Sequence, residues 1–232
     1  MNIRTRRTRI LGAVGAILLL AGISAILIGV TAQKHAPQPP AAAASPVSIL
    51  PTTSADPAPG GTAQQGSPTP AARGQILDRS LPTHLSVPAI GVNSDLKQIG
   101  LDTTGQIQTP PLVRDSHAYW LTVSPTPGQL GPSTIIGHVD SASYGPGVFF
   151  RLGALRQRDI ISITRADGTV AVFEVERVVQ YPKAKFPTQA VYGNTDHAAL
   201  RLITCGGIFN PSQHSYESNI VAYASLISTH HA

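Results

Sequence analysis

The chain has one cysteine in 232 residues, Cys205. A single thiol forms no internal disulfide. With no paired Cys-x-x-Cys and no His-x-x-x-His spacing, no recognisable zinc set exists either, so neither covalent staples nor a structural metal account for the fold. A basic stripe is also missing. The formal net charge is +5, but residues 1–80 carry seven Lys/Arg against two Asp/Glu, whereas 81–232 carry ten against ten. The surplus belongs to the N-terminal part, and no basic run interleaved with aromatics is left to follow a phosphate backbone, which argues against nucleic-acid binding. Internal repeats are absent too, and with them a solenoid.

Three compositional zones are present. Arg4, Arg6, Arg7 and Arg9 precede an uncharged apolar run over residues 10–30. At about 1.5 Å per helical residue this run crosses a hydrocarbon core about 30 Å thick. It predicts a transmembrane anchor with residues 1–9 in the cytoplasm and the remainder outside. A cleaved signal peptide, with Ala32 near its cleavage site, is the alternative. Residues 31–80 are rich in Pro, Ala, Ser, Thr and Gly and carry almost no large apolar side chain. Such a stretch buries too little apolar surface to offset its ordering entropy and predicts a disordered, extended linker. Residues 81–232 are enough for one domain with its own core.

That domain reads as mainly β. Residues 160–164, the Asp167-Gly168 turn and residues 170–180 predict a hairpin. In its second arm Ala171, Phe173 and Val175 alternate with Glu174 and Glu176, the period-two pattern of a strand with one wet face. Further strands are expected at 85–87, 133–137, 200–204 and 219–226, and short helices at 148–155 and 187–192. Short strands divided by Gly, Pro and Asn, without long intervening helices, indicate a closed or partly closed β-barrel.

Cys205 ends the apolar stretch Leu200-Arg201-Leu202-Ile203-Thr204-Cys205 and is followed by Gly206 and Gly207. A nucleophilic thiol needs a partner that exchanges a proton near neutral pH. Of the eight histidines, His35 lies in the linker and His230 and His231 at a C-terminus expected to fray, while His84, His117, His197 and His214 occupy polar or turn-like stretches. His138 alone follows an apolar strand, in Ile135-Ile136-Gly137-His138, and so emerges at a strand end as Cys205 does. A structural hydrogen-bonding role for His138 stays open on this pattern alone, as does a buried, inert Cys205. A cysteine phosphatase needs Arg six residues after its cysteine, where this chain has Pro211. A papain-like site puts its cysteine at a helix start, not at a strand end before a Gly-Gly turn. Glycines there let backbone N–H groups approach a carbonyl, which suits an oxyanion hole.

Over residues 81–230 the chain resembles the sortases, membrane-anchored cysteine transpeptidases of Gram-positive bacteria. Leu202-Ile203-Thr204-Cys205 resembles their Leu-x-Thr-Cys signature, Gly137-His138 their histidine motif, and Val87-Pro88-Ala89-Ile90-Gly91-Val92 the segment that opens their barrel. Gly137-His138-Val139-Asp140, Thr204-Cys205-Gly206-Gly207, Gln180-Tyr181-Pro182-Lys183 and Ala190-Val191-Tyr192-Gly193 are similar to the actinobacterial class F branch. The resemblance implies a closed barrel with its site on an outer groove, and no metal or organic cofactor. It also implies a two-step reaction: Cys205 attacks the Thr–Gly bond of a Leu-Pro-x-Thr-Gly-like signal on a secreted protein, and His138 protonates the departing amine. An incoming amine of a peptidoglycan precursor then takes the acyl group. A non-catalytic module that binds wall peptides, and a hydrolytic cysteine peptidase on the same barrel, are the alternatives.

One expected residue is missing. Sortases carry an arginine on the last strand, whereas the corresponding place here is Asn219 and no arginine follows Cys205. Strand alternation sets Arg201 on the Cys205 face, making it the leading substitute, with Asn219 as a neutral donor and Arg151 as the weaker candidate.

Overall fold

A computed structural model describes residues 36–40 and 72–232. The basic segment, the apolar run 10–30 and most of the proline-rich stretch lie outside the described residues. Among the described residues the strands are β1 Pro82–Val87, β2 Val92–Ile99, β3 Ala118–Leu121, β4 Gly131–Ile136, β5 Asp140–Ser141, β6 Gly145–Pro146, β7 Ile160–Arg165, β8 Thr169–Pro182, β9 Ala198–Asn210 and β10 Ser215–His231, with one short α-helix, α1, Thr188–Tyr192. Eight of them close a barrel in the order β1-β2-β3-β4-β9-β10-β8-β7, and β5 pairs only with β6. The β2–β3 and β4–β9 pairs are parallel, and all others antiparallel.

The expected hairpin is β7–β8, turning at Asp167-Gly168. Gly168 has φ +79°, a left-handed conformation that favours glycine, and the Asp167 carboxylate accepts from the Thr169 N–H and hydroxyl at 3.0 and 2.6 Å. Ala171, Phe173 and Val175 fill the barrel with Leu85, Trp120, Ile135, Phe149, Leu200, Leu202 and Ile220. Burying each large side chain contributes about 1.5–3 kcal/mol. A second apolar layer lies outside the wall, where α1 and the segment before it cover β9 and β10: Val191, Ile203, Val221 and Tyr223 pack there with Ile136, Val179, Tyr181 and Phe186. Even-numbered β9 residues therefore face the barrel and odd-numbered ones the outer layer. This is why 200–204 reads as a mainly apolar stretch, interrupted by Arg201, rather than a strictly alternating one.

The helix expected over 148–155 reduces to a single 3-10 turn, Leu152–Ala154. Phe149 and Leu152 both plug the barrel with no exposed surface, and that burial fixes the loop path better than helix propensity does. The C-terminus does not fray: His230 and His231 pair with Val170 and Thr169. Contacts with the barrel also begin ahead of Leu81. Leu77 N–H donates to Gly128 at 2.8 Å, and Arg73 bridges to Asp196. Residues 36–40, from the stretch expected to be linker, belong to the same compact unit as the barrel.

Candidate active site

The parallel β4–β9 ladder runs from Gly131↔Ala198 to Ile136↔Ile203, and Gly137 N–H extends it by donating to the Ile203 carbonyl at 3.1 Å. Two residues past that last pair come His138 and Cys205. Neighbouring strands lie about 4.8 Å apart, so His138, just past the end of β4, is level with Cys205, which lies inside β9 rather than at the strand end expected, because β9 continues to Asn210 in its pairing with β10. Gly137 is required for this packing: a Cβ there would sit 2.5 Å from Val148 and 2.8 Å from Phe149. The backbone of His138 is fixed in turn, its carbonyl accepting from Phe149 N–H at 3.0 Å.

His138 Nε2 lies 2.8 Å from the Pro110 carbonyl. A carbonyl only accepts, so Nε2 carries a hydrogen and Nδ1 is the nitrogen left to exchange a proton. His138 and Asp140 line a small recess with Leu112, Val113, Arg114 and Tyr144. Arg114 stands over the Tyr144 ring, 5.9 Å from its centroid. It is a guanidinium on the His138 side of the site that no sequence pattern singles out.

On the other side of Cys205 runs β10, in register Cys205↔Asn219 and Arg201↔Tyr223. Asn219 is thus directly opposite the thiol-bearing residue, and Tyr181 of β8 is opposite Asn219. Tyr216 donates its hydroxyl to Asp140 at 2.6 Å, tying β10 to the strand that follows His138. Burial pushes the Tyr216 phenol well above its ordinary range, helped by the hydrogen bond and charge of Asp140 and by the nearby Cys205. It therefore stays protonated as a donor. Asp140 is visible in the Gly-His-Val-Asp string, but nothing in the sequence points to Tyr216 as its partner.

Arg201 shares the Cys205 face, as alternation predicts, yet it is engaged elsewhere. It lies four residues along β9, about 13 Å at the usual strand rise. Its Nε donates to the Val191 carbonyl at 3.2 Å and an Nη to the Leu200 carbonyl at 3.0 Å. Its guanidinium carbon stands 4.5 Å from the Tyr223 ring centroid, with Arg177 at 4.0 Å from the same ring. Arg201 is 5% exposed, and burial holds its pKa below the ordinary arginine value. The leading substitute for the missing arginine is thus a structural cation, committed to α1 and Tyr223. Arg151 is exposed and lines an open cavity of about 620 Å³ beside His84, Asp95 and Asp115, whose lining includes neither Cys205 nor Asn219.

The Sortase domain family model matches residues 85–227. The chain belongs to the sortase family. Its members are cysteine transpeptidases that act on secreted substrates bearing sorting signals. Similar solved structures include sortase A from Listeria monocytogenes (18% identity, 67% of this chain and 92% of that one, TM-score 0.49). They also include the SrtA sortase from Actinomyces oris (19%, 71% and 89%, 0.49) and a sortase D5 transpeptidase from Clostridium perfringens (19%, 64% and 79%, 0.46). No curated protein matches the chain in sequence.

Proposed function

We propose that this sortase is a single-pass membrane protein of class F type whose extracellular barrel cleaves a Leu-Pro-x-Thr-Gly-like signal and transfers the protein to a cell-wall amine. The carrying observation is the parallel β4–β9 register, continued by the Gly137–Ile203 hydrogen bond, with His138 and Cys205 as the next outward residues. Cys205 passes its thiol proton to His138 Nδ1 and the sulfur attacks the Thr carbonyl, forming the C–S bond while the carbonyl oxygen takes up the electron pair. Collapse of that intermediate breaks the C–N bond, and the glycine amine departs with a proton from His138 Nδ1. The thioester then meets an acceptor amine, which passes a proton back to His138 and releases the thiol. Asn219, opposite Cys205, is the neutral donor to the oxyanion. Arg114 offers the nearby guanidinium toward the peptide. The exposed Ile208 and Phe209, directly after Gly207 on β9, suit an apolar peptide side chain.

The test uses the full chain in detergent with a Leu-Pro-x-Thr-Gly peptide and mass spectrometry. A thioester on Cys205, its loss in Cys205→Ala, and a peptide–amine adduct on adding a primary amine are expected. Water as the sole acceptor in excess amine overturns the transfer step, and an adduct on another residue overturns the nucleophile.

A further inference from the structure

Five residues of the proline-rich stretch, Ala36-Pro37-Gln38-Pro39-Pro40, are seated on the barrel immediately behind Cys205. Gln38 Oε1 accepts from the Gly207 N–H at 2.9 Å, and its Nε2 donates to the Ala36 carbonyl at 2.9 Å. The second bond turns the side-chain oxygen toward Gly207. Ala36 is 9% exposed. The Pro37 carbonyl fills the place that a Cβ on Gly153 would take, and the three nearest atoms to that Cβ all belong to residues 37 and 38. Gly153 is buried under them. Three prolines in five residues restrict the unbound segment, so little conformational freedom is lost on docking.

What the docked segment holds is the least constrained backbone near the thiol. Gly206 and Gly207 are adjacent glycines within β9, Gly207 has φ +79°, and the β9–β10 register shifts here, between Tyr216 and Ser218. The segment approaches from the side away from the thiol. A Cβ on Gly206 would lie 2.6 Å from Ile220, an interior residue, and 3.4 Å from Gln38 Oε1. Alternation turns the Cys205 side chain to the opposite face. Docking in this place braces the nucleophile's backbone and leaves its face open, which distinguishes a brace from a plug.

We propose that residues 36–40 are an intramolecular ligand of the barrel, and that Gln38 is a positioning residue that fixes the β9 backbone at Gly206 and Gly207 and so sets Cys205 for acylation. The acylation part rests on the function proposed above, while the docking part does not.

The experiment compares the full chain with Gln38→Ala, Gln38→Glu and Gly153→Ala, reading amide hydrogen exchange at Gly207 and the kinetics of acylation by the sorting-signal peptide. Gln38→Ala is expected to speed exchange at Gly207 at least tenfold and to lower the acylation kcat about tenfold, with KM within twofold. Gln38→Glu keeps an acceptor oxygen and recovers part of both. Gly153→Ala drives Pro37 off its seat and reproduces the Gln38→Ala exchange, which separates docking from any direct effect at position 38. Unchanged exchange in both Ala variants overturns the docking. Faster exchange with unchanged or raised kcat overturns the positioning role, a rise meaning that the segment is a brake. A wild-type chain that never acylates overturns the proposed reaction and with it the kinetic role, while exchange at Gly207 still decides the docking.

Discussion

Two rungs of one sheet face, four residues apart, have opposite characters. In the rung through Arg201, two guanidiniums lie 4.0 and 4.5 Å from the Tyr223 ring centroid, and Arg201 spends its donors on two carbonyls. In the rung through Cys205 the neighbours are Asn219 and Tyr181, and both Cys205 and Asn219 keep partial exposure. The first is a closed structural joint, where the cation is paired with carbonyls and an aromatic face. The second is left accessible to solvent. A residue that shares a strand face with the nucleophile does not thereby share its chemistry. What a side chain's polar atoms already bond to decides whether they are free for a substrate.

The comparison breaks most visibly at His138. His138→Ala is expected to lower acylation about 10³- to 10⁴-fold, at the upper range for loss of a general acid and base, with the thermal midpoint nearly unchanged. A stopped assay with the sorting-signal peptide measures it, and a loss under tenfold would assign the proton transfers elsewhere. Next in size is Asn219→Ala, expected at about 10²-fold if its amide is an oxyanion donor. Arg114→Ala should act mainly through KM, since its guanidinium lies in the recess beside His138 rather than in the Cys205 rung. Equal kcat losses in the two variants would mean that both contact the oxyanion.

Arg201→Ala should behave in the reverse way. It leaves the Val191 and Leu200 carbonyls without their donor and uncovers Tyr223, costing about 2 kcal/mol of stability, or about 4–8 °C in the thermal midpoint of a domain this size. The folded fraction should acylate within about threefold of the parent. A large drop in rate without loss of stability would restore Arg201 to the reaction.

Much of this contrast is hidden in the sequence for identifiable reasons. Alternation at residues 171, 173 and 175 reveals β8, and the mainly apolar stretch 200–204 reveals a strand covered on both faces, because both signals are local. The closed barrel and the strand-end setting of His138 follow from such patterns, whereas Cys205 lies inside β9, which runs on through Gly206 and Gly207 to Asn210. The parallel pairing that brings those strands side by side joins residues 67 apart, and no local pattern encodes it. Most of β2 and all of β3 escape detection because β2 is interrupted by polar residues and β3 is four residues long. Arg201 misleads because its main partner is the Val191 backbone carbonyl, and a carbonyl has no sequence signature. Residues 36–40 resemble linker because they lack large apolar side chains, and their seat depends on backbone atoms, glycine surfaces and one amide instead.

The smallest expected effect lies in the hydrogen bond that joins the two sides of the site. Tyr216 is an acid whose pKa is raised on folding from about 10, so its neutral form is the one the fold favours. A raised folded-state pKa contributes stability that is present in full below the unfolded value and declines as pH rises above it. The parent protein should therefore lose stability progressively above about pH 10, and Tyr223, raised mainly by burial, contributes in the same direction. Tyr216→Phe removes one of the phenols whose pKa is raised on folding, Tyr192 being another. It should lower the thermal midpoint slightly at pH 7, where the Asp140 bond is lost, and should flatten the decline above pH 10 compared with the parent. Midpoints measured from pH 7 to 11 for both proteins decide it: parallel curves would mean that Tyr216 titrates alike in the folded and unfolded states and that its bond to Asp140 is not maintained in solution.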